Sequence, residues 1–158
     1  MRKIAFVMLL TIVMTCEAYA QNKIVVSKKD FKLTVLNSDN DTICSYECAI
    51  GLNVGDKQCE GDMRTPEGTF VISSIEDSRL WTHDFNDGYG QRAGAYGPYF
   101  IRLKTSKWKG IGIHGTCFPE SVGTRSSEGC VRLRDEDLVK LIEHIEVGTI
   151  VKIESDKY

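Results

Sequence analysis

The sequence predicts a mostly β domain with a single helix packed on it. Three observations predict this: β-branched runs recur between short polar turns, only one stretch carries a helical period, and the remaining long segments are rich in Gly, Asp and aromatics. Ile24-Val25-Val26 and Leu33-Thr34-Val35-Leu36 flank the polar turn Ser27 to Asp30. Asn37 to Asp41 is a second turn that leads into a strand over Ile43–Ile50, so the chain opens as an antiparallel meander. Gly51 to Gly68 reads as a long loop, and loops of that length inside a compact domain are often functional. A strand Thr69–Ser73 follows.

Residues 76–97 place Trp81, His83, Phe85, Tyr89 and Tyr96 without a clear period and read as irregular structure, either the wall of a cleft or cover for a sheet edge. Tyr99 to Leu103, Gly110 to His114 and Val131 to Leu133 are further strands. Asp135 can cap one helix, in which Leu138, Leu141, Ile142 and Ile145 keep the i, i+3, i+4, i+7 pattern. Gly148 ends it before a last strand, Thr149–Ile153.

The first twenty residues have the layout of a secretory signal. Arg2 and Lys3 supply charge, Ile4 to Met14 is mostly apolar, and Ala18-Tyr19-Ala20 is a small-x-small cleavage site, so a mature chain from Gln21 is expected. The apolar run falls short of the roughly 20 residues that a membrane span needs. An uncleaved anchor and a lipoprotein lipidated at Cys16 are the alternatives, the latter weakened by Thr15 before the cysteine.

Of 20 Lys and Arg and 22 Asp and Glu, removal of Arg2, Lys3 and Glu17 leaves 18 against 21, a net charge of −3. No basic stripe points to nucleic acid or an anionic membrane. Residues 21–158 fit one domain, with no linker, repeat or low-complexity tract dividing them.

Export would permit disulfides. Five cysteines follow the leader: Cys44, Cys48, Cys59, Cys117 and Cys130. An odd count leaves one thiol unpaired or paired between chains. On a strand, Cys44 and Cys48 would lie about 13 Å apart at roughly 3.3 Å per residue, beyond the about 7 Å bridging limit. Either each pairs with Cys59 or Cys117, or those two pair and the strand thiols stay reduced. Spacing of the usual zinc kind is absent.

Chemistry is concentrated in Ile111 to Leu133, where His114-Gly115-Thr116 precedes Ser127-Glu128-Gly129-Cys130. A thiol nucleophile needs a base in reach, a way to stabilise the thiolate, and backbone N–H groups aimed at the oxyanion. His114 and the Gly129-Cys130 turn can supply all three. Glycines suit a turn whose N–H groups must approach a substrate carbonyl closely.

These segments resemble the YkuD-type L,D-transpeptidase catalytic domain, a family of bacterial cell-wall enzymes. The Gly-Asp-x-x-Thr-Pro-x-Gly-x-Phe pattern at 61–70, Tyr-Gly-Pro-Tyr-Phe at 96–100 and Asp137-Leu138 extend the resemblance over nearly the whole of residues 21–158. It implies a β-sandwich or open barrel of mixed sheets with one helix on the C-terminal side. It makes Cys130 the nucleophile and His114 its base, oriented by the Gly115 carbonyl. N–H groups around Gly129 and Cys130 would face the oxyanion, and Ser127 and Thr116 would hold the turn. Glu128 stands where the family most often has histidine. A carboxylate aimed at the sulfur would disfavour the thiolate, so Glu128 is expected to point away from it; turned inward, it would meet a cationic amine of the substrate. Arg132 and Arg64 are candidates for a donor carboxylate. His83 is expected in a wall and His144 on the outer face of the helix.

The implied reaction is acyl transfer from a peptidoglycan stem tetrapeptide to an amine or to water, without metal or organic cofactor. A monomer exported across the inner membrane to the periplasm is expected. A peptide-binding protein that kept the fold without turnover is the rival, kept alive by Glu128, and a disulfide-stabilised secreted interaction domain with no peptide site is a third possibility.

Overall fold

The computed structural model describes residues 21–156, so the expected signal peptide and Cys16 lie outside the described residues. The chain is mostly β, as its patterning predicts. Strands β1 (Lys23–Ser27) and β2 (Lys32–Leu36) form the expected hairpin and β3 (Thr42–Glu47) extends it. Further along the chain come β4 (Ile50–Gly51), β5 (Gly68–Asp77), β6 (Thr82–Asp84), β7 (Gln91–Ala93), β8 (Tyr99–Lys104) and β9 (Gly112–His114). A 3-10 turn, β10 (Arg125–Ser127), β11 (Val131–Arg132), helix α1 (Asp135–Ile142) and β12 (Ile150–Glu154) complete it.

Eight strands make one mixed sheet in the order β11-β9-β8-β5-β12-β1-β2-β3. The last strand runs parallel to the first, with Ile24 opposite Val151 and Val26 opposite Ile153. On the other side of β1, Ile24 faces Val35 and Val26 faces Leu33. Because side chains alternate, this register sends all six apolar residues to one face. There they are fully or almost fully buried and meet Leu138 and Leu141 from α1 in one core.

Five sequence expectations need correction. The strand expected over Ile43–Ile50 breaks at Cys48, whose N–H donates to the Phe31 carbonyl at 2.8 Å. Ala49 then bonds to Arg132 in both directions and β4 pairs with β10, so the chain leaves the β2 edge for β11, the other edge strand of the same sheet. Apolar patterning continued through the break; the hydrogen bonds did not. The region 76–97 is partly regular, since β6 and β7 form an antiparallel ribbon and β5 runs on to Asp77.

Asp135 does not cap α1: Arg134 is the N-cap residue, and Asp135 Oδ1 instead accepts the Thr116 N–H at 3.0 Å. The helix ends at Ile142, so His144 lies in the turn beyond it rather than on its outer face. The disulfides expected of an exported chain are not formed. Cys44, Cys48, Cys59, Cys117 and Cys130 are all free thiols, with Cys48 buried and Cys59 exposed.

Leu138 ties the helix to the sheet. Leu138→Ala is expected to remove about 2–5 kcal/mol of unfolding free energy, as large-to-small changes at sealed core positions do; the midpoint of a urea titration followed by circular dichroism would measure it.

Candidate active site

Parallel pairing of β11 with β9 builds the site. Val131 lies opposite Ile113 and Arg132 opposite His114, and the Leu133 N–H donates to the His114 carbonyl at 2.9 Å. On its other edge Arg132 exchanges two bonds with Ala49, at 2.8 and 2.9 Å. Cys130, one residue before β11, thus comes to the start of β9, where its Sγ donates to the Gly110 carbonyl at 3.3 Å. Cys130, His114, Glu128, Arg132, His83 and Tyr96 line one cleft.

The turn before the cysteine is held by its own serine. Ser127 Oγ donates to the Cys130 carbonyl at 2.5 Å and accepts the Gly129 N–H at 3.1 Å. Gly129 adopts φ +134°, and a Cβ there would stand 2.9 Å from the Arg64 carbonyl oxygen, so both conformation and space demand glycine. Its N–H is committed to Ser127, which corrects the expectation that it faces an oxyanion. Thr116 does not hold this turn either. Its N–H goes to Asp135 and its Oγ1 accepts the Phe118 N–H at 3.1 Å, fixing the turn after the histidine instead.

His114 is 3% exposed. Its Nδ1 lies 2.7 Å from the Gly115 carbonyl oxygen, which can only accept, so Nδ1 carries the hydrogen and Nε2 keeps a lone pair. The ring stacks on Phe100 at 5.3 Å between centroids and meets Tyr96 at 5.0 Å. Gly115 itself fills a tight space: a Cβ would lie 2.8 Å from Gly97 Cα and collide with the Asp135 carboxylate.

Burial sets the charge states. It pushes the His114 pKa down to about 3, reinforced by the nearby Arg132 cation and by His83, and opposed by the Gly115 carbonyl. Burial also pushes the Cys130 thiol up; Glu128 adds to this, while the Gly112 backbone and Arg132 oppose it. At neutral pH the site therefore rests as neutral thiol and neutral imidazole.

The flanking residues divide. Arg132 is 6% exposed, its guanidinium lies 5.5 Å over the Phe85 ring, and its buried Nε has no hydrogen-bond partner among the described residues. It is a buried cation aimed at the cleft. Glu128 lines the same cleft rather than turning away from it, and its Oε2 lies 3.1 Å from His83 Nε2. His83 Nδ1 in turn lies 3.0 Å from the Tyr96 hydroxyl. The sequence placed His83 in a wall but gave no sign of the Glu128 contact. Arg64 is not brought to the cleft: its Nε donates to the Val54 carbonyl at 3.0 Å and its Nη1 lies 3.7 Å from Asp62.

Comparison with known proteins identifies the family and the fold. The sequence profile of the L,D-transpeptidase catalytic domain, YkuD, matches residues 21–153. The chain is 31% identical over 135 residues to the putative L,D-transpeptidase YqjB of Bacillus subtilis, covering 84% of this chain and 71% of that protein. It is 30% identical to the putative L,D-transpeptidase YkuD of Bacillus subtilis over 122 residues, 77% of this chain and 60% of that one. Among solved structures, an L,D-transpeptidase from Mycobacterium smegmatis superposes with a TM-score of 0.64 at 19% identity, covering 86% of this chain and 59% of that chain. The last comparison speaks to fold alone. Among the described residues no helix is long and apolar enough to cross a membrane.

The neutral resting pair has a measurable sign. A histidine whose folded pKa is depressed stays unprotonated down to that value, so the His114 ring resonances are expected to hold still between pH 5 and 8 in an NMR titration. Cys130 alkylation by iodoacetamide, read on its own peptide by mass spectrometry, is expected to keep rising above pH 9 rather than to level off near pH 6.

Proposed function

The chain belongs to the L,D-transpeptidase catalytic-domain family, and on that premise we propose that it cleaves the bond between the L-centred third residue and the terminal D-alanine of a peptidoglycan stem tetrapeptide. Cys130 is the nucleophile. His114 Nε2 takes the thiol proton as sulfur attacks and returns it to the departing D-alanine nitrogen, leaving a thioester. The oxyanion is assigned to the backbone N–H of Cys130, since that of Gly129 is committed to Ser127. An amine on a second stem then takes the acyl group to give a cross-link between third-position residues, or water takes it and the reaction is an L,D-carboxypeptidation.

The observation that carries this reading is the β9–β11 register, which sets a buried imidazole with a free Nε2 and a thiol on one cleft. The neutral resting pair suits it. A thiol that gives up its proton only as it attacks is spared side reactions of a standing thiolate. Arg132, buried and in no ion pair among the described residues, is the group we assign to the carboxylate of the donor; its burial and its unpartnered Nε support this. The working form is taken to be a monomer of residues 21–158, exported by the leader to the periplasm.

A non-catalytic peptide binder on the same fold has one observation in its favour, the Glu128 charge that raises the thiol. Carbapenem separates the two, because an electrophilic β-lactam acylates a competent cysteine and leaves an inert one unmodified.

Incubation with defined disaccharide-tetrapeptides, followed by mass spectrometry, is expected to give dimers lacking one D-alanine, tripeptides, or both. Cys130→Ala should abolish all products, and His114→Gln should lower the rate about 10²–10⁴-fold. Unchanged substrate with the wild-type protein, together with no carbapenem adduct, would remove the proposal in favour of the binder.

A further inference from the structure

The cleft holds a second imidazole and a carboxylate that the mechanism above leaves unused. His83 and Glu128 are 27% and 42% exposed at the side chain, in contrast to the sealed His114. The Glu128 carboxylate can only accept, so it fixes the hydrogen-bond direction: His83 Nε2–H donates to Glu128 Oε2 at 3.1 Å, and Nδ1 of the neutral ring accepts the Tyr96 O–H at 3.0 Å. Glu128 lines the cleft with its side chain 42% exposed. Tyr96 also packs on the His114 ring at 5.0 Å and meets the His83 ring at 5.7 Å, so both imidazoles contact one phenol.

Proton balance says what this second group is for. In the first half of the reaction the thiol loses one proton and the leaving nitrogen gains one; His114 alone can carry it. An amine acceptor arrives as an ammonium with three protons on nitrogen, and the amide it becomes keeps one. Two must leave. One returns to the Cys130 sulfur as the C–S bond breaks, by way of His114. The other has no carrier in the first-half machinery.

Resting on the function proposed above, we propose that Glu128 docks the acceptor ammonium and takes this extra proton, with His83 as the positioning residue that holds its carboxylate. Transfer of one proton to Glu128 frees the nitrogen lone pair, which adds to the thioester carbonyl. The second nitrogen proton passes through His114 to sulfur, the C–S bond breaks as the C–N bond stays, and Glu128 then releases its proton to solvent. Neutralising Glu128 also removes a negative charge that disfavours the departing thiolate, at the moment the thiolate forms. Water as acceptor needs no such carrier, since a single proton passes to sulfur by way of His114 as water attacks. Glu128 is on this account a determinant of aminolysis against hydrolysis.

Partition of the thioester tests this. Wild type, Glu128→Gln and His83→Gln are each given a defined tetrapeptide donor and a fixed concentration of an amine acceptor, and amide product and tripeptide are quantified by mass spectrometry. Both products drain one acyl-enzyme, so a change in the rate of acylation cancels in their ratio. The amide-to-tripeptide ratio is expected to fall at least about tenfold in Glu128→Gln and by a smaller factor in His83→Gln. A ratio within twofold of wild type in Glu128→Gln would overturn the proposal, as would loss of thioester formation in both variants, which would place the pair in the first half. A wild-type protein that forms no thioester fails the underlying function instead, and one that forms the thioester but only hydrolyses it fails this inference alone.

Discussion

The short parallel pairing of β11 with β9, pinned on its other edge by Ala49, is the constraint on which the site depends. Two residues of strand are a small unit, yet each of their edges is occupied: His114 and Ile113 on one side, two Ala49 bonds on the other. Side chains alternate on a strand, so a slip of one residue would exchange faces along the whole segment. Val131 and Leu133, both completely buried, would leave the core, while Arg132 would be driven into it. The apolar residues flanking the arginine thus fix where the cysteine stands. The chemistry inherits its precision from hydrophobic burial next door, and the break at Cys48 is the same fact seen from the other strand, since Ala49 can reach Arg132 only because the chain has left β2.

Burial then decides how the pair works. A thiolate–imidazolium pair needs its charges solvated or matched, and this site offers the histidine a stacked phenyl ring, a phenol and a nearby guanidinium. The guanidinium favours thiolate and opposes imidazolium, so Arg132 cannot stabilise both members of such a pair at once. What it can do is stabilise an anion that arrives with the substrate. A donor carboxylate beside Arg132 would offset the cation that depresses His114 and so make the imidazole a better base. On the function proposed above, substrate binding and activation of the thiol would be coupled through that one side chain.

Much of this was legible in the sequence, for physical reasons that also mark the limit. β-branched runs between polar turns gave β1, β2 and β12, because their alternation is the burial pattern itself. The His-Gly-Thr and Ser-Glu-Gly-Cys segments gave the cleft because both lie at strand ends, where few conformations fit. Hydrogen-bond direction was not legible. Glycine at 129 announces a special φ and a close neighbour, but not that its N–H turns to Ser127. Asp135 before a helical run announces a cap, but the same short carboxylate serves as well against Thr116. Arg64 sits in the expected loop with its side chain drawn to Val54 and Asp62, a choice made by local carbonyls that no pattern encodes. The His83–Glu128 contact joins residues 45 apart through a ribbon without clear periodicity, so nothing in the spacing could announce it.

The long loop between β4 and β5 is functional in a different sense from the one its length suggests. Its anchor is Lys28, a fully buried ammonium that donates to the carbonyls of Gly55 and Thr65 and pairs with Glu67 at 2.7 Å. A buried cation without these partners would be costly, so the loop and the lysine hold each other in place. Thr65 Oγ1 accepts the Gly51 N–H at 2.8 Å, which seats the Thr-Pro segment against β4. The backbone between these two fixed points carries the Arg64 carbonyl, and that carbonyl oxygen is what a Cβ at position 129 would meet at 2.9 Å. The Gly-Asp-x-x-Thr-Pro-x-Gly stretch therefore acts on the turn before Cys130 through its main chain. It forms a wall that admits only glycine before Cys130, and leaves its own arginine free to serve the loop.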